Sequence, residues 1–275
     1  MGSETIYDSD SCRICSAQEF KLSCTKNGFR YVTCAQCGVT RQYPYPTSEI
    51  IEEYYNKYLQ TKNLENPIYL SDESWDNLKK DKDLTFSDLK FPVEGFKGKK
   101  VLDIGCATGL FVKYVNLYGG IGHGIDISSE LIEIAKKKGL NCHQKDLFEI
   151  NEKFDIINIS HVIEHVDYPV KYIGYISSIL NENGFLIIET PCTGIISGSF
   201  ADDWRFYMPV EHIHLFSQNS LFKILTDNDF TIASWIRFGS GNTTGTINQV
   251  SKKVADTIAK QMGIGDVIAV LCRKH

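Results

Sequence analysis

The sequence predicts an α/β protein: a mostly parallel sheet with helices on both faces, preceded by a small four-cysteine module. Three observations predict it. From Lys99 onward, short apolar runs alternate with capped amphipathic stretches, the βαβα texture of a parallel sheet. Two C-x2-C pairs stand near the N-terminus. The first apolar run ends in a loop of small residues, at the position where open α/β sheets bind ligands. The 275 residues suit one large domain plus a small module, and 43% hydrophobic residues can bury a sizeable core.

The N-terminal module is read from its cysteines. Cys12 and Cys15 form one pair, Cys34 and Cys37 the other, with eighteen residues between. This falls inside the spacing of four-cysteine zinc sites. Two knuckles offer four thiolates and leave no open position, so the expected Zn2+ is structural. Gly38 follows the second pair, as a tight knuckle prefers. Cys24, Cys106, Cys142, Cys192 and Cys272 read as small core or loop residues. Nine cysteines behind a polar N-terminus, with no secretory signal, point to a reducing, cytoplasmic setting rather than a disulfide framework. A net charge of −5 gives no electrostatic footprint for nucleic acid. No apolar run is long enough to span a membrane. Neither partner is expected, and oligomeric state is not written in these patterns.

After the module, "YPYPTSEIIEEYYNKYLQ" predicts a helix from about Glu49, capped by Thr47 or Ser48. Ile50, Ile51, Tyr54, Tyr55 and Tyr58 recur at helical spacing, either as packing against the main domain or as a lid over a substrate pocket. Residues 60–90 are polar and read as a connecting cap. The main pattern then runs strand "KKVLDIG", helix "GLFVKYVNLYG", strand "IGHGIDI", and helix "SSELIEIAKKKG", which stops at Gly139. Strand "FDIINIS", helix "PVKYIGYISSILNENG" and strand "FLIIETP" follow. Helix "SQNSLFKILTDNDF", strand "TIASWIRF", helix "INQVSKKVADTIAKQMG" and strand "DVIAVLCRK" complete it. The resulting organisation is a ribbon over 1–45, a helical cap and linker over 46–98, and a core over 99–275.

The loop after the first core strand reads Leu102 to Leu110, "LDIGCATGL". A dinucleotide fingerprint would need glycines at 105, 107 and 110, and only Gly105 fits. Asp103 would also repel a pyrophosphate. The stretch Val101 to Gly109 instead resembles motif I of class I S-adenosylmethionine-dependent methyltransferases, with Ala107 for the middle glycine. That resemblance implies a Rossmann-like methyltransferase fold, a mostly parallel seven-stranded sheet with an antiparallel last strand. It implies S-adenosyl-L-methionine as cofactor, held around Asp103, Gly105, Cys106, Ala107 and Gly109. It makes Asp126 the ribose ligand and Ile127 an adenine neighbour, with Asp146 and Leu147 at the adenine edge. Ser160 and His161 fall at the methionine end.

"SHVIEH", Ser160 to His165, also fits H-x-x-E-H, an inverted zinc-peptidase pattern. That pattern needs one long helix, and here a strand runs straight into it. In the methyltransferase reading Glu164 and His165 face the substrate. A hydroxyl must lose its proton as it attacks, so His165 is the candidate base, oriented by Glu164, which also has the option of binding a substrate hydroxyl. The same stretch resembles ubiquinone-pathway O-methyltransferases, in which acid and histidine hold a divalent ion, and this keeps a Mg2+-assisted variant open. A later cluster, "DDWRFYMPVEHIHLFS", is expected to cover the substrate. There His214 is a second candidate catalytic residue, while Trp204, Arg205 and His212, with Tyr54, are candidate substrate contacts; bracing of the loop is the alternative role. The ribbon, the tyrosine helix and "EHIHLFS" together resemble bacterial methyltransferases of sugars and small metabolites. O-methylation of a sugar hydroxyl, on a sugar nucleotide or glycan precursor, is therefore expected. C-methylation of a keto-sugar, RNA base methylation and a non-enzymatic docking module are the rivals.

Overall fold

The computed structural model describes residues 5–8, 10–47, 49–51, 53, 54, 72–242 and 247–275. Tyr55 and Tyr58 of the expected tyrosine stripe lie outside the described residues. The N-terminal part is an antiparallel meander of β1 (Thr5–Tyr7), β2 (Glu19–Lys26), β3 (Phe29–Cys34) and β4 (Thr40–Tyr43). Both cysteine pairs sit in its turns. The knuckles close through Ser16 N–H to Cys12 O at 2.8 Å and Gly38 N–H to Cys34 O at 3.0 Å.

The core strands are β5 (Lys100–Ile104), β6 (Ile121–Asp126), β7 (Cys142–Gln144), β8 (Phe154–Ser160), β9 (Leu180–Thr193), β10 (His214–Ser217), β11 (Phe230–Phe238) and β12 (Val267–Lys274). Seven of them run in the order β7-β6-β5-β8-β9-β12-β11, with β12 antiparallel to both neighbours. This is the expected sheet with its reversed last strand. β9 starts earlier than the sequence pattern implies. Residues 181–184 bulge out, and the register jumps from Phe154↔Leu180 to Ile156↔Phe185. The strand β10, not foreseen, pairs in parallel with β9 and antiparallel with β4, joining the ribbon sheet to the core sheet.

The helices are α1 (Asp72–Asp88), α2 (Leu110–Leu117), α3 (Ser129–Lys137), α4 (Pro169–Ile179), α5 (Ile195–Phe200), α6 (Gln218–Thr226) and α7 (Gln249–Gln261). Side-chain caps start several of them: Ser128 for α3, Ser217 for α6 and Asn248 for α7. Among the described residues no helix is long and apolar enough to cross a membrane.

Strand periodicity sorts the core into two layers. Leu102, Ile104, Ile157, Ile159, Leu186 and Ile188 pack with Ile173 and Ile176 of α4 and Leu221 and Ile224 of α6. Val101, Ile156, Ile187, Ala269 and Leu271 face the other way, onto Phe111 and Tyr114 of α2 and Phe86 of α1. Residues 72–98, which lie in the stretch 46–98 read from sequence as a helical cap and linker, polar over 60–90, thus give Phe86, Leu89, Phe91 and Phe96 to the interior. Their wide spacing among lysines and aspartates hides this from a composition window. Phe86 is the hub of that layer, with ring centroids of Phe91, Phe96, Phe111 and Tyr114 between 5.4 and 6.1 Å away. Truncating it leaves a cavity that the surrounding rings cannot fill. Phe86→Ala is expected to cost about 3–5 kcal/mol of unfolding free energy in urea titration.

The same face carries a polar pair. Asp103 and Asn158 are register partners on β5 and β8, and Asn158 Nδ2 donates to Asp103 Oδ1 at 2.7 Å. Burial pushes the Asp103 carboxyl up to about 7, more than the Asn158 hydrogen bond holds it down. The folded chain therefore keeps this proton where the unfolded chain, near the ordinary aspartate value, has lost it. On this group's account stability falls as pH rises from about 4 to about 7, by at most roughly 1.4 kcal/mol per pH unit. Asp103→Asn removes that dependence. In urea unfolding the stability of the wild type relative to the variant should decline from pH 5 to pH 7.5; a constant difference would contradict the assignment.

Candidate active site

The carboxyl ends of β5, β6 and β8 open onto a cavity of about 570 Å³, a size suited to a small molecule. The loop after β5 forms one wall. Gly105 has φ +70°, and a Cβ there would lie 2.5 Å from Val162 Cγ2, so only glycine fits. The N–H groups of Gly105 and Cys106 both donate to Ile125 O, at 2.9 and 3.0 Å. Ala107 sits at φ 47°, a left-handed conformation that glycine adopts freely and alanine only at a cost. The Asp126 carboxylate fastens the loop, accepting from Ala107 N at 2.9 Å and from Ser128 N at 2.9 Å.

Of the residues expected around a cofactor, Gly105, Asp126, Ile127, Asp146, Leu147 and His161 line this cavity. Cys106 does not. Its side chain turns into a small cluster with Val112, Ile132, Ala135 and Cys142. Nor do Asp103, Ala107, Gly109 and Ser160 line the cavity. At the far end Ile127 and Phe148 are 67% and 41% exposed, two apolar side chains left facing the opening. Asp146 caps the short turn Leu147–Glu149, accepting from Phe148 N at 2.9 Å, while also lining the cavity.

"SHVIEH" is not a helix. β8 ends at Ser160, His161 takes φ 54°, and Ile163–His165 is a single 3-10 turn before Pro169 opens α4. The peptidase geometry is therefore absent. Glu164 was expected to face substrate or to orient His165, and it does neither. It is fully buried; Oε1 lies 3.1 Å from His161 Nδ1, and Oε2 accepts from Thr190 Oγ1 at 2.9 Å. Glu189 stands on the other side of His161, with Oε1 3.6 Å from Nε2. Lys82 from α1 completes the row, donating to Glu189 Oε2 at 3.0 Å and to Ser160 Oγ at 3.1 Å. Charges alternate along it: Lys82, Glu189, His161, Glu164. Burial opposes the charges of Glu189, Glu164 and His161, but the neighbours prevail. They hold the Glu189 carboxyl at about 2, lower that of Glu164 and raise the His161 imidazole. Lys82 and Glu189 were not foreseen; the signal available was an acid ending the otherwise apolar run "FLIIET".

His165 lines the cavity, and its Nδ1 lies 2.8 Å from Glu211 O. A carbonyl only accepts, so Nδ1 is the donor here and Nε2 is the ring nitrogen left for another partner. Glu211 also lines the cavity, and its Oε2 accepts from Tyr54 Oη at 2.6 Å. His212 is buried with Nδ1 2.8 Å from Phe206 O, its ring centroid 4.9 Å from that of His165. Three side chains expected at the site, the second catalytic candidate His214 and the substrate contacts Trp204 and Arg205, are braces instead. His214 is fully enclosed, Nδ1 3.0 Å from Val166 O and Nε2 3.4 Å from Tyr45 Oη, so neither nitrogen can take a substrate proton. Burial, then the Arg13 charge, lowers its imidazole to about 3, which keeps it neutral. Trp204 is buried with Nε1 3.1 Å from Asp266 Oδ2. Arg205 is tied to the same carboxylate at 3.2 and 3.3 Å. Both serve the loop rather than the cavity.

Among the described residues two groups of side chains are placed to hold an ion. Glu164, His165 and His212 bring one ligand atom each within 4.8 Å of one another. Two imidazoles and a carboxylate already bonded twice do not suit Mg2+, which takes oxygen ligands in octahedral array. The four cysteines do fit a cation. Cys12 Sγ lies 3.6 Å from Cys37 Sγ, Cys15 Sγ 3.6 Å from Cys34 Sγ, and all four sulfurs fall within 4.8 Å. A tetrahedral site with ~2.3 Å metal–sulfur bonds has sulfur–sulfur edges of about 3.8 Å. The Cys37 thiol lowers Cys12 to about 5, while burial raises Cys15 to about 11.

Comparison with known proteins agrees with this layout. Residues 78–234 match the family model described as "Methyltransferase domain". The ubiquinone biosynthesis O-methyltransferase of Haemophilus ducreyi is 32% identical over 121 residues, 39% of this chain and 51% of that protein. The chain thus spans about half the length of the curated relatives it matches. A SAM-dependent methyltransferase structure from Archaeoglobus fulgidus superposes with TM-score 0.53 at 19% identity, covering 73% of this chain and 94% of that one. Magnesium protoporphyrin IX methyltransferase from Synechocystis PCC 6803, with bound SAM, gives TM-score 0.54 at 16% identity, covering 82% and 97%. At these identities the two structures establish a shared fold. The family match covers more than half of the chain, in the region that builds the sheet and the cavity, and so the chain belongs to the methyltransferase domain family.

Proposed function

We propose that this chain is an S-adenosylmethionine-dependent O-methyltransferase acting on a hydroxyl of a small polar acceptor, a sugar or sugar nucleotide in the first place, with His165 as general base and zinc in the four-cysteine site. One observation carries it: His165 faces the cavity with Nδ1–H committed to the Glu211 carbonyl, which leaves Nε2 to receive a proton. When bound, S-adenosylmethionine supplies a methyl already activated for displacement. The chain's own residues do the rest. Asp126, with one lone pair per oxygen engaged by the loop, has the others for ribose hydroxyls. Ile127 and Phe148 are placed to flank a flat base beside Asp146. His161, between two carboxylates, lies at the methionine end.

At the acceptor end Glu211, Asp167 and His165 offer hydrogen-bond acceptors around the exposed ring of Tyr168, a mixture that suits a polyhydroxylated ring. The curated relatives named as O-methyltransferases support transfer to oxygen. A hydroxyl is a weak nucleophile until its proton begins to leave, and Nε2 of His165 is the group to take it. Cys12, Cys15, Cys34 and Cys37 would hold zinc in a closed shell, with no position for substrate.

The test is turnover with S-adenosylmethionine and a panel of UDP-, dTDP- and GDP-sugars, read by mass spectrometry of methylated product. His165→Gln should lower kcat by about 10²–10⁴-fold while leaving S-adenosylhomocysteine affinity within about twofold. Asp126→Ala should instead weaken that affinity by about tenfold or more. Full turnover by His165→Gln would remove the base. Absence of any binding of S-adenosylmethionine or S-adenosylhomocysteine to folded protein would remove the whole reading.

A further inference from the structure

The cysteine ribbon touches the acceptor wall at Asp167 and Tyr168 and reaches the preceding Val166 through His214. Arg13 lies between Cys12 and Cys15, inside the first knuckle. Its Nη1 donates to Asp167 O at 3.1 Å and pairs with the Asp167 carboxylate. Its guanidinium carbon lies 3.7 Å from the Tyr45 ring centroid and 4.5 Å from that of Tyr168, so the cation is sandwiched between the two rings. Tyr45 in turn meets His214 Nε2 at 3.4 Å, and His214 Nδ1 donates to Val166 O at 3.0 Å. Val166, Asp167 and Tyr168 all line the cavity, directly after His165. The cofactor end is built differently, from β5, β6 and the Asp146 turn, which belong to the core.

We infer that Arg13 is a positioning residue for the acceptor site, and that the metal-loaded knuckle fixes residues 165–168, and with them His165, through it. This rests on the reading of His165 as the base and extends it to a residue 152 positions earlier in the chain. A thiolate-bound ion fixes the Cys12–Cys15 turn and so fixes where the guanidinium points. Arginine is needed for the geometry: its plane stacks on both tyrosines while its edge donates to Asp167, which the rounder ammonium of lysine does only in part. Loss of the ion should therefore loosen the acceptor wall and leave the cofactor end intact.

Hydrogen exchange read by mass spectrometry tests this on the whole zinc-loaded chain, without an identified acceptor. In Arg13→Ala, amides in the peptide spanning 163–172 should exchange about tenfold faster, while those of 101–110 keep their protection. Arg13→Lys, which retains the ion pair, should recover part of the protection, and Arg13→Gln, which retains size without charge, should not. Asp167→Asn, with an untouched knuckle, should loosen the same peptide and serves should Arg13→Ala fail to fold. Removing zinc with a chelator should reproduce the pattern, and restoring zinc should reverse it. S-adenosylhomocysteine affinity of Arg13→Ala should stay within about twofold of wild type. Unchanged exchange at 163–172 in both Arg13→Ala and Asp167→Asn would overturn the inference. So would equal loosening of 101–110, which would make the effect general. Failure of all variants and wild type to bind S-adenosylhomocysteine would instead count against the methyltransferase reading, with the exchange result still deciding the role of Arg13.

Discussion

The strand β10 holds the molecule's two halves in register. His214 and Leu215 pair with Arg41 and Thr40 of the ribbon; Phe216 and Ser217 pair with Cys192 and Thr193 of the core sheet. Four residues thus turn two sheets into one hydrogen-bonded system. The segment leading into β10 delivers the Glu211 carbonyl to His165, and Ile213 N–H bonds to Glu164 O at 2.9 Å. The ribbon reinforces the join through Gln42, whose Oε1 accepts from Val210 N at 2.6 Å and whose N–H donates to Ile213 O at 3.0 Å. Backbone bonds of this kind have well-defined geometry, so the histidine, the carbonyl that sets its tautomer and the ribbon behind it are placed together.

The second constraint is electrostatic. The face of the sheet that carries Asp103, Asn158 and Glu189 would be costly to bury without partners. The chain answers by alternating sign along Lys82, Glu189, His161 and Glu164, with Thr190 Oγ1 donating to Glu164 and Ser160 Oγ accepting from Lys82. Such a row is poor as a source of stability. A hydrophobic replacement would often do as well, and loss of one member strands the others. Its placement directly under the cavity floor, with His161 opening into it, ties these charges to whatever the cavity holds.

Much of this was legible in the sequence, and the limits have physical causes. Strands and helices from Lys100 on are continuous apolar runs separated by capped or glycine-stopped helices, so their order could be expected, while the reversal of the last strand was implied only by the motif I resemblance. The four cysteines converge because two short knuckles constrain their own geometry. Gly105, Asp126, Asp146 and His161 lie at strand ends, where a linear motif maps directly onto space. What could not be read depends on side chains meeting across distant elements. Nothing near Lys82 points to Glu189, and nothing near His214 shows that Tyr45 and Val166 will enclose it. Trp204 and Arg205 looked like binding residues because both types often are, yet Asp266, some sixty positions on, claims them. The phenylalanines of 86–96 escaped because their burial is decided by α2 and the sheet, not by local periodicity.

Ile127 and Phe148 are left facing water at the cavity mouth, which has a thermodynamic consequence. A flat aromatic guest slid between them would strip hydration from both side chains at once. The complex should then form with a negative heat-capacity change, and its enthalpy should grow more favourable on warming.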